Sequence, residues 1–142
     1  GGLASLSPAQ RARLPASVAQ TADARYLAYV KKSLAEHGPM APVREGRMLE
    51  AQAVWNENMG ENAAAAAGPQ TPLLVLAGLG HMLYSAGVPE SAARRRTLAQ
   101  AVLLPYPLDC EEKPLAELLQ ALRKQGSEEI VLGDYFWLLP TP

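Results

Sequence analysis

Cysteine, aromatic residues and unbalanced charge are all scarce in this sequence of 142 residues. Its single cysteine, Cys110, excludes an internal disulfide. An acidic pair, Glu111 and Glu112, follows Cys110 and disfavours its thiolate, so we do not expect a reactive thiol. Aromatic residues make up 6% of the chain, and Phe136 is the one phenylalanine, so the core must consist mainly of Leu, Ala and Val.

Several classes of protein and of catalytic motif are also absent. The net charge is −1, with both signs interspersed, which argues against nucleic acid as a main partner. No apolar run approaches the roughly 20 residues of a membrane span, and we recognise no signal peptide. The motifs Gly-x-Ser-x-Gly, His-Glu-x-x-His and Cys-x-x-Cys do not occur. The length and the hydrophobic content of 49% are typical of one domain with a sizeable core.

The first 68 residues or so predict helices. Ser7 is a suitable N-cap for a short helix that ends near Leu14. Thr21 is a candidate cap for a second helix that ends at His37, before Gly38-Pro39. A third helix is predicted from about Val43 to Ala67, and we expect Trp55 and Met59 on its buried face.

The rest of the chain, about 69–142, predicts a β-α-β-α-β order. The predicted elements are a strand at 73–77, a helix at 89–96, a strand at 98–104, a helix at 114–125 and a strand at 130–139. We expect Pro105 and Pro107 to end the second strand. The fold class is therefore α/β, with helices packed on a small mixed or parallel sheet. Because three strands are few for so many helices, we expect an incomplete part of a larger three-layer domain.

The stretch TPLLVLAGLGHMLYSAGVPE, residues 71–90, is the best candidate for a functional site. Its apolar run predicts a strand buried on both faces, and ligands bind at the carboxyl ends of such strands. Gly78 and Gly80 allow a tight turn and a close approach of a ligand. His81 follows directly, and Tyr84 lies on the same side if the segment is one helical turn. An imidazole and a phenol together can bind a metal, a haem iron or a proton.

Three stretches, RMLEAQAVWNENMGENAAAA (47–66), VLAGLGHMLYSAGVPE (75–90) and GDYFWLLP (133–140), occur in this order. Together they resemble the ChaN-like haem-binding uptake family of the Tiki/TraB/erythromycin-esterase-like group. The resemblance implies a protein that binds haem (iron) and serves iron uptake in a bacterial cell envelope, often as a lipoprotein. Members of the family carry an N-terminal half with a Gly-Glu-x-His-type motif, so we expect this chain to be the C-terminal part of such a domain.

The resemblance and the residue chemistry together suggest a set of haem contacts. Tyr84 is the best candidate for an axial ligand, because a phenolate oxygen favours ferric iron. His81 could bind a metal or accept the phenol's hydrogen bond. Met82 and Leu83 would offer apolar surface to the porphyrin, although Met82 also suits the core.

Further residues could support these ligands from a distance. Glu50 could orient the His81 imidazole, and Gly78 and Gly80 would shape the turn. The three arginines 94–96 could pair with haem propionates or form a solvated helix end. His37, at a helix C-terminus, is expected to be structural.

Two alternatives to haem binding remain at the level of the sequence. One is a metal-dependent hydrolase, for which His81 and Glu50 supply fewer than the usual three zinc ligands. The other is a structural fragment whose site lies in the N-terminal half. For a haem protein, the flat, two-faced ligand makes a homodimer a further expectation.

Overall fold

Five α-helices, four short strands and three 3-10 turns make up the part of the chain that this computed structural model describes, residues 1–36, 38–39, 41–108, 114–125, 128–129 and 132–140. The helices are α1 Pro8–Arg11, α2 Ala24–Ala35, α3 Pro42–Ala66, α4 Val88–Arg95 and α5 Leu115–Arg123. The strands are β1 Leu103–Leu108, β2 Lys124–Gln125, β3 Glu128–Glu129 and β4 Tyr135–Pro140. The 3-10 turns are Leu3–Ser5, Leu79–His81 and Leu83–Ser85.

Side-chain caps begin the first two α-helices. Ser7 caps α1 as predicted: its hydroxyl accepts from the Gln10 N–H at 3.3 Å, and the Gln10 side chain accepts from the Ser7 N–H at 2.9 Å. The cap predicted for α2 is wrong, since Asp23 caps that helix by accepting from the backbone N–H groups of residues 25 and 26. Thr21 instead accepts from the Asp23 N–H at 3.2 Å, which supports the cap from outside the helix. His37 lies outside the described residues.

The buried face of α3 differs from the face that the sequence predicted. Trp55 is 64% exposed, so its expected place in the core is wrong. The residues that α3 buries are small or polar: Ala53, Asn56, Glu57, Gly60 and Ala64. The cause is the close packing of α4, because a Cβ on Gly60 would lie 2.3 Å from the Ser91 hydroxyl oxygen. A large side chain on this face of α3 would push α4 away.

The strand predicted at 73–77 does not form. These residues run without regular secondary structure and pair with no described strand. Leu74 is 81% exposed and Leu76 86% exposed, so the run is not buried on either face. An apolar run shows only that its side chains favour a nonpolar contact, and a strand also needs a neighbour to bond its backbone.

A two-stranded parallel sheet joins β1 and β4, with Leu103 opposite Tyr135 at one end and Leu108 opposite Pro140 at the other. The chain between the two strands contains α5, which gives the β-α-β connection that parallel pairing requires. The α/β fold class is therefore confirmed. The last predicted strand is shorter than expected at its N-terminal end, and residues 130 and 131 lie outside the described part of the chain.

The prediction that prolines end the second strand is wrong, because Pro105 and Pro107 lie inside β1. The Val102 carbonyl accepts from the N–H groups of Asp134 (2.9 Å) and Tyr135 (3.0 Å), so the backbone of residue 102 faces β4. Backbone direction alternates along a strand, so residues 104 and 106 also face β4, and both prolines face the opposite edge. Their missing N–H groups therefore cost no hydrogen bond to β4.

The hydrophobic core connects α2, the second of the two adjacent 3-10 turns and β1. Its buried members are Tyr26, Val30, Leu83, Ala86, Val102 and Leu104. Phe136 of β4 packs against them. None of the helices in the described residues is long and apolar enough to span a membrane.

Candidate functional site

Two consecutive 3-10 turns, rather than one helical turn, carry His81 and Tyr84. They meet at Met82, and the backbone of Tyr84 has a φ of 61°, followed by a φ of 53° at Ser85. A non-glycine residue in this left-handed region costs about 1–3 kcal/mol, and such residues cluster at functional sites. The Tyr84 N–H donates to the Leu132 carbonyl at 2.9 Å, which holds the turn against the segment before β4.

The His81 imidazole is half-buried and is held through one of its two nitrogens. Its Nδ1 lies 2.7 Å from the Asn56 side-chain oxygen and 3.1 Å from the Gln52 side-chain nitrogen. The hydrogen bonds that described residues make to the ring are all at Nδ1, and none is at Nε2. Burial lowers the pKa of His81 because it disfavours the charged ring. The neutral imidazole is the form that binds a metal ion.

The Tyr26 hydroxyl and the Gly80 carbonyl extend this hydrogen-bond network and orient the side-chain amides of Gln52 and Asn56. The Tyr26 hydroxyl donates to the Gly80 carbonyl at 2.6 Å, and the Gln52 amide donates to the same carbonyl at 2.9 Å. The Asn56 amide donates to the Tyr26 oxygen at 2.9 Å. Tyr26 and Asn56 are buried. Helices α2 and α3 therefore converge on the backbone of the His81 turn.

Tyr84 and Met82 lie close to His81 in sequence but have different surroundings. The Tyr84 ring packs against the core, and the Arg25 guanidinium lies 5.0 Å from the ring centroid, a cation–π distance. Met82 is partly buried and also packs against the core. Leu83 is a core residue, so it cannot offer surface to a ligand as predicted.

The carboxylate of Glu50 does not reach the imidazole in this structure. It accepts from the Leu3 N–H at 2.9 Å and so ties the N-terminal 3-10 turn to α3. The polar groups that contact His81 come instead from Gln52 and Asn56, which are four residues apart and share a face of α3.

The glycines before His81 contribute through their backbone groups. The carbonyl of Gly78 accepts from the His81 N–H at 2.9 Å, and that of Gly80 is the acceptor described above. The backbone of Gly87 packs closely against the His81 carbonyl. Gly87 has a φ of 68°, and a Cβ on it would lie 2.5 Å from the His81 carbonyl oxygen. A side chain at residue 87 would displace the His81 turn from α4.

A buried ion-pair cluster joins α3 to α4 beside this site. Glu57 is 1% exposed, and its carboxylate binds the guanidinium groups of Arg94 and Arg95, the latter at 2.6 Å. The Ser91 hydroxyl donates to the same carboxylate at 3.1 Å. The Arg96 side chain donates to the Ala67 carbonyl at the end of α3. The three arginines thus bind α3 through their side chains, although Arg94 and Arg96 are also exposed to solvent.

Exposed leucines lead from residue 73 to the His81 turn. Leu74 and Leu76 are mostly exposed, and Leu79, two residues before His81, is 44% exposed. Their exposed apolar side chains and the imidazole nitrogen of His81 belong to one stretch of the chain. A flat hydrophobic ligand needs both of these features.

Sequence reasoning missed the residues that hold His81. Tyr26, Gln52 and Asn56 are not among the site residues that the sequence predicted. The four-residue spacing of Gln52 and Asn56 on a predicted helix was an available signal, since it places two amides on one face. The sequence could not show that this face meets the turn at residue 80.

A family comparison places the chain in a known group. Residues 1–91 match the model of a family described as haem-binding uptake, Tiki superfamily, ChaN. The match covers more than half of the 142 residues, so the chain belongs to this family. The matched part contains the 47–66 helix and the His81 turn but not the 133–140 stretch. Comparisons with curated proteins and with solved structures return no match.

Proposed function

We propose that this protein binds haem at the turn formed by residues 79–85 and serves haem or iron uptake in a bacterial cell envelope. Membership of the haem-binding uptake family supports the class of ligand. The observation that carries the assignment to this turn is the anchoring of His81. Its ring is held through Nδ1, which leaves Nε2 as the nitrogen that can bind iron.

The residues around His81 in the chain have the polarity that suits haem. The exposed leucines 74, 76 and 79 offer apolar contact on one side of the residue in sequence. Covering such surface stabilises a complex by about 25 cal/mol for each Å² buried. A buried hydrogen-bond network fixes the imidazole, so little side-chain entropy is lost when it binds.

Tyr84 is the second candidate for iron ligation. Its backbone adopts a left-handed conformation that costs energy in a non-glycine residue, and such backbone strain is typical of a functional position. A phenolate ligand and an imidazole ligand give different absorption spectra, so substitution of each residue separates the two assignments.

Titration of the protein with hemin, followed by absorbance, tests the proposal. We expect saturable binding by the wild-type chain and a loss of affinity of about tenfold or more in His81→Ala. Tyr84→Phe should alter the charge-transfer bands if the phenol also binds iron. Tyr135→Phe, which removes the hydroxyl of an exposed tyrosine on β4, and His37→Ala are the matched controls. Failure of the folded wild-type protein to bind hemin saturably would overturn the proposal.

We also propose that two copies enclose the haem as a homodimer, since haem has two faces and this turn covers one. Light scattering after size exclusion, with and without hemin, tests this part. If the protein–hemin complex has the mass of a single chain, the homodimer is refuted. The N-terminal half implied by the resemblance stays a prediction.

No observation favours the metal-dependent hydrolase. Within the described residues there is no group of three or more His, Cys, Asp or Glu side chains placed to hold a metal ion. The family to which the chain belongs is described by haem binding and not by a reaction.

A further inference from the structure

We infer that Asn56 is a positioning residue that holds the His81 ring in its Nδ1–H tautomer, so that Nε2 carries the lone pair. The inference depends on the proposed function only for the ligand that this lone pair binds. The tautomer itself follows from a chain of hydrogen bonds that begins at a backbone carbonyl.

The Gly80 carbonyl is the fixed starting point because a carbonyl oxygen can only accept. The Tyr26 hydroxyl lies 2.6 Å from it and must therefore direct its single proton to this oxygen. The Gln52 side-chain group at 2.9 Å from the same oxygen must be the NH₂ end of its amide.

The orientation of the Asn56 amide follows from that of Tyr26. Because the Tyr26 hydroxyl has given its proton to Gly80, its oxygen can only accept further bonds. The Asn56 group 2.9 Å from that oxygen is therefore the NH₂ end. The Asn56 carbonyl oxygen then points at His81 Nδ1, at 2.7 Å. Since this oxygen only accepts, Nδ1 must carry the proton.

The Gln52 amide does not support the opposite tautomer, although its nitrogen lies 3.1 Å from Nδ1. Its two protons have acceptors in the Gly80 carbonyl at 2.9 Å and the Tyr26 oxygen at 3.2 Å. In the Nε2–H tautomer, the lone pair of Nδ1 would face the Asn56 oxygen at 2.7 Å with no proton between them. A buried acceptor left unsatisfied costs about 1–3 kcal/mol, which disfavours this state.

Nitrogen NMR of the histidine rings in the ligand-free protein tests the tautomer directly. The full chain is labelled with ¹⁵N and measured above the pKa of the rings, so that both histidines are neutral. His37→Gln removes the second histidine signal and assigns the remaining one to His81. We expect a protonated Nδ1 and an unprotonated Nε2. A protonated Nε2 in His81 would overturn the inference, whatever the protein does with hemin.

Hemin titration of Asn56 variants tests the positioning role. We expect Asn56→Leu to weaken binding about ten- to a hundredfold. Asn58→Leu, on the exposed side of the same helix, should bind as wild type does. Asn56→Asp keeps an oxygen acceptor at Nδ1, and the Tyr26 hydroxyl can donate to its second oxygen while Gln52 still bonds the Gly80 carbonyl. This variant should therefore retain both the tautomer and most of the affinity.

The two proposals fail in different ways. Unchanged hemin affinity in a folded Asn56→Leu variant, beside a wild type that binds, would refute the positioning role and leave haem binding intact. A wild-type chain that does not bind hemin but shows the Nδ1–H ring would refute haem binding and leave the tautomer assignment intact.

Discussion

Replacement of Glu57 by glutamine should strongly destabilise this protein, although Glu57 contacts no ligand in our proposal. Its buried carboxylate holds two guanidinium groups and the Ser91 hydroxyl between α3 and α4. In Glu57→Gln, Arg94 and Arg95 lose their counter-charge, and one of them faces an NH₂ donor. Removal of one partner from a buried ion pair costs about 3–5 kcal/mol.

The expected magnitude lies near the lower end of that range. Both arginines are partly exposed, so water can solvate them after the change. Arg94 also keeps a second partner, the Glu90 carboxylate at 2.9 Å. We therefore expect a loss of about 3 kcal/mol in the free energy of unfolding. With a urea slope of about 2 kcal/mol/M, the midpoint would fall by about 1.5 M.

Glu61→Gln is the matched control in a urea titration followed by circular dichroism. Glu61 lies one turn further along α3 and is 49% exposed at its side chain, 3.8 Å from Arg95. An exposed pair of this kind contributes about 0–1 kcal/mol. If the two glutamine variants unfold at the same urea concentration, the assignment of Glu57 as the central contact between α3 and α4 is wrong.

Two further predictions concern helix packing and helix capping. Gly60→Ala should destabilise the protein by about 1–3 kcal/mol because the new Cβ would meet Ser91. Gly46→Ala, also on α3, should stabilise it by about 0.5–1 kcal/mol, because a Cβ there would meet no other group within 4 Å. Thermal unfolding of both variants checks this, and equal effects would refute the close packing of α3 and α4. The hydrogen bond from the Arg25 side chain holds the pKa of Asp23 below its ordinary value, so the charged cap contributes stability above about pH 4 and loses it as the pH falls through the lowered pKa. Asp23→Asn should keep α2 capped and remove this acid dependence, as measured by helicity from pH 2 to 7; a variant with an unchanged acid transition would contradict the assignment.

Local signals in the sequence predicted the helices well. The Ser7 cap, the long α3 and the leucine-rich α5 all depend on contacts within a few residues, such as a hydroxyl that accepts from an N–H three positions later. The parallel pairing of β1 and β4 was within reach because a helical segment separates two apolar runs. The prediction of a strand at 73–77 was wrong because a strand requires a partner strand, and residues 73–77 alone cannot show whether one is present.

In the candidate site, too, the residues predicted correctly are those with a local signal in the sequence. His81 and Tyr84 were identified from their place after an apolar run, and the turn does carry both. The supporting residues Tyr26, Gln52 and Asn56 were not identified, because they lie 25 or more residues from His81 in the chain. Polar residues on a predicted helix are most often solvated, so only the hydrogen bonds of the folded chain distinguish these three.

Short-range signals were sufficient to predict the helices, the α/β class and a turn at His81, because these depend on propensity, capping and the spacing of nearby residues. That α3 buries Asn56 and Glu57 while Trp55 faces solvent results from how the helices pack. The physical reason is the close contact of Gly60 with Ser91, which allows small and polar groups to meet and excludes large ones. The state of the His81 ring is likewise a tertiary property, because it depends on hydrogen bonds between α2, α3 and a turn that are far apart in the chain.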